Sequence, residues 1–457
     1  MTNPSGIVQI EKETTRALMG RELAAFEAAH PRSKEIHEGA DEALLSGVPM
    51  NWMTRWPGAF PVFFERANGN SLVDVDGNEL IDFCLGDTGA MTGHSPAPTV
   101  AAATARIGKG ITTMLPSEDA LPLGKEMVRR FGLGHWQFSL SASDANRFSI
   151  RLCREVTGRD KVLVFNHCYH GSVDETVAML RDGQPSFRVG NIGPPVPIAE
   201  TTRVVEFNDV EGLERELAHG DVACVLAEPA LTNIGIVLPD PGFLDELRRL
   251  TREAGTLLII DETHTFCCGP GGYTRAHGLS PDMITIGKPI AGGIPTGAYG
   301  MTDEMAERVL SHTVWEAADV GGVGGTLAGN ALSMAAARAT LEQVLTEDSF
   351  EHMIQMGERF EEGVRDVITE HGLAWTVTRL GCRAEYMLGA ERPRSGAEAA
   401  AAFDTELDAL LHLYMLNRGI LMTPFHMMAL MCPDTSETDV DIHTRALGEA
   451  AAELTGG

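Results

Sequence analysis

The sequence predicts an α/β protein built on a mainly parallel sheet, followed after about residue 330 by a smaller α+β region. Helical patterns such as GFLDELRRLTREAG, with Phe243, Leu247 and Leu250 on one face, separate several short strands. Strands that are apolar throughout are typical of parallel sheets, which bind ligands at the strands' carboxyl ends. Four runs have this character: KVLVF at 161–165, VACVLAEP at 222–229, TLLIIDE at 256–262 and MITIGK at 283–288.

The two ends of the chain follow other patterns. Residues 8–46 predict a helical arm packed on another surface. From about 60 to 85, aromatic and β-branched runs broken by N-G-N and D-G-N predict an antiparallel meander. Beyond residue 330, long helices and a strand containing AEYML predict the smaller region. We expect three segments: 1–95 as arm and meander belonging to the small domain, 96–330 as the large ligand-binding domain, and 331–457 as the C-terminal small domain.

Composition excludes several classes of function. The chain has 457 residues, of which 44% are hydrophobic, so it can bury a catalytic site. Its formal net charge of -28 is opposite to that of nucleic-acid and anionic-membrane binders, and we expect neither partner. No apolar run approaches the roughly 20 residues that span a bilayer, and the first residues lack the basic-then-apolar order of a signal peptide. We therefore expect a cytoplasmic protein.

The cysteines predict neither disulfides nor a metal site. The eight cysteines include the neighbours Cys267 and Cys268, but they show no C-x-x-C spacing and no zinc pattern. We expect reduced thiols in the core and no bound metal.

Ionisable side chains stand at the ends of two predicted strands. Asp261 follows TLLII and Lys288 follows MITIG, so a carboxylate and an amine are expected in one crevice. Burying an ammonium without a partner is costly, and covalent use of the amine is one way to avoid that cost. Two simpler interpretations stay open: Lys288 as a surface lysine in a G-K-P turn, and Asp261 as a capping or salt-bridged carboxylate.

Two further segments supply a helix start and an aromatic ring. Ser141, Ala142 and Ser143 lead directly into a helix, and small residues there leave N–H groups and a positive dipole end for a phosphate. In NHCYHG, Tyr169 and His170 follow the strand KVLVF, where a ring can stack on a flat ligand. As alternatives, Ser143 can be a plain N-cap and the other two can be core or rim residues.

Amine, carboxylate, phosphate-binding turn and stacking ring are together what pyridoxal 5'-phosphate requires. A lysine forms a Schiff base with this cofactor, and a carboxylate keeps its pyridine nitrogen protonated so that the ring accepts electrons. Because all four groups occur at strand ends in this order, the sequence predicts a pyridoxal phosphate enzyme.

The same segments resemble a known family. SASDAN is similar to the phosphate motif S-G-T-E-A-N, YHG is identical to a ring-stacking motif, AEP, IIDET and TIGKPIAGGIPTGAYG match in order and spacing, and GGTLAGNALSMAAA resembles G-T-x-x-x-N. The chain thereby resembles the class III aminotransferases from about residue 45 to 450. It is most similar to the branch with glutamate-1-semialdehyde aminomutase and β-amino acid aminotransferases. This implies the PLP-dependent transferase fold type I, with a mainly parallel seven-stranded sheet in the large, pyridoxal phosphate-binding domain.

The resemblance also implies roles for single residues. Lys288 and Asp261 would be catalytic, the first as Schiff base and proton shuttle, the second as partner of the pyridine nitrogen. Thr326 would reach the phosphate of a neighbouring subunit, which implies a homodimer with active sites at the interface. The implied cofactor-binding set is Ser141, Ala142, Ser143, Tyr169, His170, Glu228, Asp261, Thr263, His264, Lys288 and Thr326.

Alternatives and departures remain within that set. Glu228 before Pro229 can simply end a strand, and Thr326 can cap the following helix. The family usually has an apolar residue where Thr263 stands with His264 beside it, and its phosphate motif usually has Gly and Glu where this chain has Ala142 and Asp144. These departures remove no required charge. They leave open how the surroundings of the cofactor adjust its reactivity and which substrate it acts on.

The predicted substrate-binding residues are Trp52, Arg55, Arg383, Phe425 and His426. Segments that bind the substrate carboxylate through an arginine in β-amino acid aminotransferases align here with Trp52 and Phe425, which are both apolar. This favours a hydrophobic amine, or an acid bound instead by Arg55 or Arg383, with a contribution from His426. Each has a structural alternative: a cation–π pair with Trp56, a salt bridge within a strand, and a satisfied core histidine, respectively.

These observations favour an omega-type class III transaminase. It would move an amino group from a primary amine or β/ω-amino acid to a keto acid such as pyruvate. The alternative is an aminomutase or amino acid racemase on the same scaffold, which needs no second substrate. A cofactor-free binding module is disfavoured because the pair Lys288 and Asp261 would have no purpose in it.

Overall fold

The computed structural model describes residue 8 and residues 10–312, 322–424 and 426–456. Its chain forms two compact units, which we describe separately. The first unit comprises the described residues of Met1–Ser95, Glu351–Arg392 and Ala402–Gly457, and the second those of Pro96–Phe350 and Pro393–Ala401. The three segment boundaries expected from the sequence stay predictions.

The strands are β1 (Phe64–Asn68), β2 (Ser71–Asp74), β3 (Glu79–Asp82), β4 (His135–Ser139), β5 (Lys161–Phe165), β6 (Ala178–Arg181), β7 (Gln184–Phe187), β8 (Thr202–Val205), β9 (Val222–Ala227), β10 (Leu257–Asp261), β11 (Met283–Ile286), β12 (Gly297–Met301), β13 (Thr376–Leu380), β14 (Arg383–Met387), β15 (Ile420–Leu421) and β16 (Met428–Leu430).

The α-helices are α1 (Lys12–Ala29), α2 (Pro31–Ala40), α3 (Ala97–Ile107), α4 (Ala120–Phe131), α5 (Ala142–Thr157), α6 (Ile198–Thr201), α7 (Val210–Leu217), α8 (Phe243–Glu253), α9 (Gly272–His277), α10 (Asp303–His312), α11 (Ala331–Gln343), α12 (Glu347–Glu370), α13 (Gly396–Ala401), α14 (Thr405–Leu416) and α15 (Glu437–Thr455). Short 3-10 helices occupy Leu45–Gly47, Asn51–Thr54, Asp174–Thr176, Thr265–Cys268 and Lys288–Ala291.

A seven-stranded sheet runs through the second unit in the order β4-β12-β11-β10-β9-β5-β8. Strands β8, β5, β9, β10 and β11 are parallel, and β12 is antiparallel to both of its neighbours. The predicted fold class, α/β with a mainly parallel seven-stranded sheet, is confirmed. Every residue of β9, β10, β11 and β12 is buried, as continuous apolar runs require.

The register of this sheet brings two strand ends together. Asp261, the last residue of β10, pairs with Thr285 of β11, only three residues before Lys288. Neighbouring parallel strands end at the same edge of the sheet, so the carboxylate and the amine emerge on one side.

The first unit contains two smaller sheets. The predicted meander is present as the antiparallel strands β1, β2 and β3, and β15 joins it parallel to β3. The second sheet consists of β13, β14 and β16, all antiparallel.

The N-terminal arm differs from the predicted single helix over residues 8–46. It forms α1 and α2, with a break at His30, and the helical structure of α2 ends at Ala40. Pro31 explains the break, because proline disfavours helical backbone in the residue before it but fits the first position of a new helix. On the inner side of α1, Phe26 is buried in a cluster with Phe60, Leu80, Leu413 and Leu416, so the arm packs on the first unit itself.

All eight cysteines are free thiols. Over the described ranges, no helix is both long and apolar enough to cross a membrane. In that same part of the chain, no three His, Cys, Asp or Glu side chains are grouped to hold a metal ion.

Candidate active site

The backbone at Lys288 is tightly constrained. Lys288 begins a 3-10 helix just after β11 and has a φ of 47°, in the left-handed region that non-glycine residues rarely adopt. A Cβ atom on the preceding residue, Gly287, would lie 2.8 Å from the backbone nitrogen of Ala142. Glycine is therefore required for the end of β11 to approach the start of α5, and this approach places the lysine beside the helix N-terminus.

The side chain of Lys288 meets a histidine. Its Nζ atom lies 2.9 Å from Nε2 of His264, a buried residue in the turn after β10. A lysine ammonium can only donate, so a neutral His264 accepts this hydrogen bond at Nε2.

Asp261 is a buried carboxylate with three hydrogen-bond partners. It accepts from Nδ2 of Asn146 at 2.8 Å and from the backbone N–H of Thr263 at 3.1 Å, and it lies 2.9 Å from Nδ1 of His170. Burial alone would raise the pKa of Asp261, but the hydrogen bond and charge of His170, with the bonds from Thr263 and Asn146, hold it below its usual value. The site thus keeps a negative charge out of water.

His170 is the counterion of that charge. Burial opposes a charged ring, yet Cys168 and the hydrogen bond and charge of Asp261 raise the pKa of His170 well above its usual value. The same peptide segment is fixed by Asn146, whose Nδ2 also donates to the carbonyl oxygen of His170 at 3.1 Å.

Two further buried carboxylates, Glu228 and Glu262, each hold a backbone segment in place. Glu228, after β9, accepts from the backbone N–H of Tyr169 at 3.1 Å and from the hydroxyl of Thr232, and burial raises its pKa. Glu228 thereby fixes the backbone of Tyr169, in addition to following the end of β9. Glu262 accepts from the backbone N–H groups of Tyr273 and Thr274, so it holds α9 rather than facing the crevice.

The N-terminus of α5 is capped by Ser141 and not by Ser143. Oγ of Ser141 accepts from the backbone N–H of Asp144 at 3.2 Å, which makes the N-cap alternative for Ser143 wrong. The loop after β5 touches this helix start: a Cβ on Gly171 would lie 1.8 Å from Oγ of Ser143. The start of α5 is therefore in close contact with both the end of β11 and the loop that carries Tyr169.

The residues fit pyridoxal phosphate. A buried anion such as Asp261 suits a protonated pyridine nitrogen, a helix N-terminus suits a phosphate, and a nearby amine suits the aldehyde. Two buried polar atoms, Nε2 of His170 and Oγ1 of Thr263, lack a hydrogen-bond partner among the described residues, which indicates space for a polar ligand.

Thr326 stands on the segment that precedes α11. It is exposed, in a turn before α11, and the N-cap of α11 is Asn330. The alternative in which Thr326 caps this helix is therefore wrong, and its contact with a neighbouring subunit stays a prediction.

The predicted substrate residues belong to the first unit. Trp52 is half-buried in a 3-10 helix, and Arg55 just after it is exposed. Arg383 on β14 is fully buried, 3.4 Å from Oγ1 of Thr88 and 3.9 Å from Oδ1 of Asp87. Their roles in binding a substrate stay predictions.

Two more positions complete that set. Nδ1 of His426 lies 2.7 Å from Oε1 of Glu385, and both side chains are buried. The surroundings of His426 are therefore those of a core histidine with a hydrogen-bond partner. Phe425 lies outside the described residues.

Sequence reasoning missed Asn146. This residue links α5, Asp261, His170 and Thr285, whose hydroxyl donates to Asn146 Oδ1 at 2.6 Å. A signal was available, because Asn146 stands among apolar residues of an amphipathic helix, and a buried amide needs partners.

Comparison with known proteins places these residues in a family. The family model described as "Aminotransferase class-III" matches residues 52–443. A glutamate-1-semialdehyde aminomutase structure from Pseudomonas aeruginosa PAO1 is 48% identical, covers 97% of this chain and 99% of that chain, and superposes with a TM-score of 0.95. A variant of that protein was solved in complex with PMP.

Two further relatives are more distant. Glutamate-1-semialdehyde 2,1-aminomutase 2 of Halalkalibacterium halodurans is 35% identical over 402 residues, which are 86% of this chain and 91% of the relative. An omega-transaminase structure from Sphaerobacter thermophilus is 27% identical, covers 93% of this chain and 98% of that chain, and has a TM-score of 0.83.

Proposed function

Because this chain belongs to the class III aminotransferase family and depends on pyridoxal phosphate, we propose that it is an aminomutase, which moves an amino group between neighbouring carbons of one small molecule. The observation that carries this proposal is the 48% identity, over nearly the full length of both chains, to a glutamate-1-semialdehyde aminomutase. The omega-transaminase relative is 27% identical. The comparisons therefore support the alternative better than the transaminase that the sequence favoured.

The chain's own residues support such chemistry. When bound, pyridoxal phosphate supplies an electron sink for the negative charge that develops at the amine-bearing carbon. Asp261, charged at neutral pH because its pKa is low, would hold the protonated pyridine nitrogen. Lys288 would bind the cofactor, and its amine would then move protons at the substrate. Glu228 holds the backbone of Tyr169, whose ring would stack on the cofactor.

An aminomutase uses its substrate as both donor and acceptor. Glutamate 1-semialdehyde is 4-amino-5-oxopentanoate, and moving its amino group to the aldehyde carbon yields 5-amino-4-oxopentanoate. No keto acid is consumed in this reaction. A substrate of this type carries a carboxylate, for which Arg55 and Arg383 remain our candidates.

The test is isomerisation by the purified holoenzyme without any keto acid. We expect 4-amino-5-oxopentanoate to be converted to 5-amino-4-oxopentanoate, measured by chromatography of the products. Lys288→Ala should abolish turnover while the fold is retained, and Lys109→Ala, at an exposed lysine, should leave turnover unchanged. Product formed only after addition of pyruvate would reject the aminomutase.

The second candidate is a transaminase. The similarity to an omega-transaminase and the apolar Trp52 at a carboxylate-binding position favour it. Incubation with 1-phenylethylamine would then bleach the visible band of the bound cofactor, and pyruvate would restore it. If this amine does not bleach the band and 4-amino-5-oxopentanoate is isomerised, the transaminase is rejected and the aminomutase is supported.

A further inference from the structure

The turn after β10 places a second proton-carrying group against Lys288. Nε2 of His264 lies 2.9 Å from Lys288 Nζ, and the imidazole is only 5% exposed. Its position follows from the chain itself: Asp261 ends β10, and His264 stands three residues later, just before the 3-10 helix Thr265–Cys268. The contact is therefore held by a buried turn and not by a mobile surface side chain.

The neighbouring carboxylates are engaged elsewhere. The oxygens of Asp261 accept from Asn146, His170 and Thr263. Those of Glu262 accept from Thr265, Tyr273 and Thr274. An imidazole is the side chain that gains and loses a proton most readily near neutral pH, and here it directly contacts the amine.

We propose that His264 is the proton acceptor for Lys288. The inference deepens the proposed function and rests on Lys288 being the residue that binds the cofactor's aldehyde. For that reaction the lysine must first change from an ammonium, which has no lone pair, to a neutral amine. His264 is the group placed to take the proton.

The proton of the Lys288 ammonium passes to Nε2 of His264, which leaves a neutral amine and an imidazolium. This amine would then have the lone pair needed to bond to the aldehyde carbon, and the carbonyl oxygen would leave as water with the two remaining amine protons. The imidazolium would hold this proton while Lys288 is bonded to the cofactor.

The experiment measures the rate at which the full-length apoprotein attaches pyridoxal phosphate covalently. Stopped-flow absorbance follows the appearance of the visible band after mixing near neutral pH. His264→Gln retains an oxygen that accepts a hydrogen bond from Lys288 but cannot take up a proton, and His264→Ala removes the ring and leaves room for added imidazole. The matched control is His219→Gln, at an exposed histidine in the turn after α7.

We expect attachment to slow by about 100-fold in both His264 variants, the usual scale for losing a general base, and to be unchanged in His219→Gln. Added imidazole should restore attachment in His264→Ala by at least about tenfold and should not restore His264→Gln. Attachment by His264→Gln at the wild-type rate would overturn the proposal, because His264 would then only orient Lys288. Absence of imidazole rescue in a folded His264→Ala would overturn it as well.

This outcome is separate from that of the proposed function. If the wild-type holoenzyme does not isomerise 4-amino-5-oxopentanoate but the attachment rates follow the expected pattern, the substrate assignment is wrong and the role of His264 stands. If isomerisation is observed and the attachment rates do not change, the role of His264 is wrong and the aminomutase stands.

Discussion

At the scale of single residues, the site depends on a buried pair of opposite charges. Asp261 and His170 are 2.9 Å apart and fully enclosed, so each one lowers the cost of charging the other. Asn146 supplies a further donor to Asp261. Asp261 is thereby kept as a carboxylate at the strand end, because His170 and Asn146 both stabilise its charged form.

This pair predicts how the stability of the apoprotein depends on pH. The pKa of His170 is raised, so its stabilising contribution is complete below the unfolded value of about 6.5 and is lost as pH rises through the folded value. The pKa of Asp261 is lowered, so its contribution is complete above about 3.9 and is lost as pH falls through the folded value.

Chemical denaturation across pH should resolve the histidine's contribution. We expect His170→Gln to have a lower unfolding free energy than wild type at about pH 6.5. This difference should shrink as pH rises into the alkaline range, because the wild-type protein then loses the proton on His170 and the stability that it provides. An equal difference between the two proteins at every alkaline pH would contradict a raised pKa.

At the scale of elements, glycines decide how closely the loops approach α5. Gly171 has a φ of 79°, and a Cβ there would lie 1.8 Å from Oγ of Ser143. Gly183 has a similar φ of 71°, but a Cβ there would meet nothing within 4 Å. Alanine at Gly183 would therefore bear only the free-energy cost of left-handed backbone. Alanine at Gly171 would bear that cost and would also clash with Ser143.

Alanine at these two glycines provides a matched comparison. Gly183→Ala should reduce the unfolding free energy by only about 1–2 kcal/mol, the cost of left-handed backbone. Gly171→Ala bears that cost and must also displace Ser143, so we expect a larger loss and at least about tenfold weaker binding of pyridoxal phosphate. Measurements are denaturant unfolding and cofactor titration. Equal effects of the two substitutions would show that the contact with α5 is unimportant.

At the scale of the whole molecule, the homodimer stays a prediction, and one surface of the second unit supports it. Met114, Leu115 and Leu121 are 78%, 74% and 67% exposed, which is unusual for such large apolar side chains. Leu121 lines a groove together with Gly324 and Gly325, next to Thr326. The residue expected to reach a neighbouring subunit thus lies beside exposed apolar surface.

A charge on this surface should separate the subunits. We expect Leu121→Asp to sediment as a monomer and to bind pyridoxal phosphate more weakly, since Thr326 would then contact no second phosphate site. The control is Leu310→Asp, at a 65% exposed leucine on α10, which should sediment like wild type. A wild-type protein that sediments as a monomer would exclude the dimer directly.

The sequence by itself determined the fold class and the cofactor. Continuous apolar runs mark strands covered on both faces, and the motifs around Lys288 and Asp261 follow those strands directly, so the pattern alone placed both groups at strand ends. Such features are local, because strand burial and chain order are written in consecutive residues.

Only the tertiary structure decided which residues touch. Asn146 and His170 come from separate segments, yet both bond Asp261, and His264 meets Lys288 across two strand ends. Hydrogen bonds between residues distant in sequence depend on the register of the sheet and on close backbone approach, and neither is encoded in any one stretch of sequence.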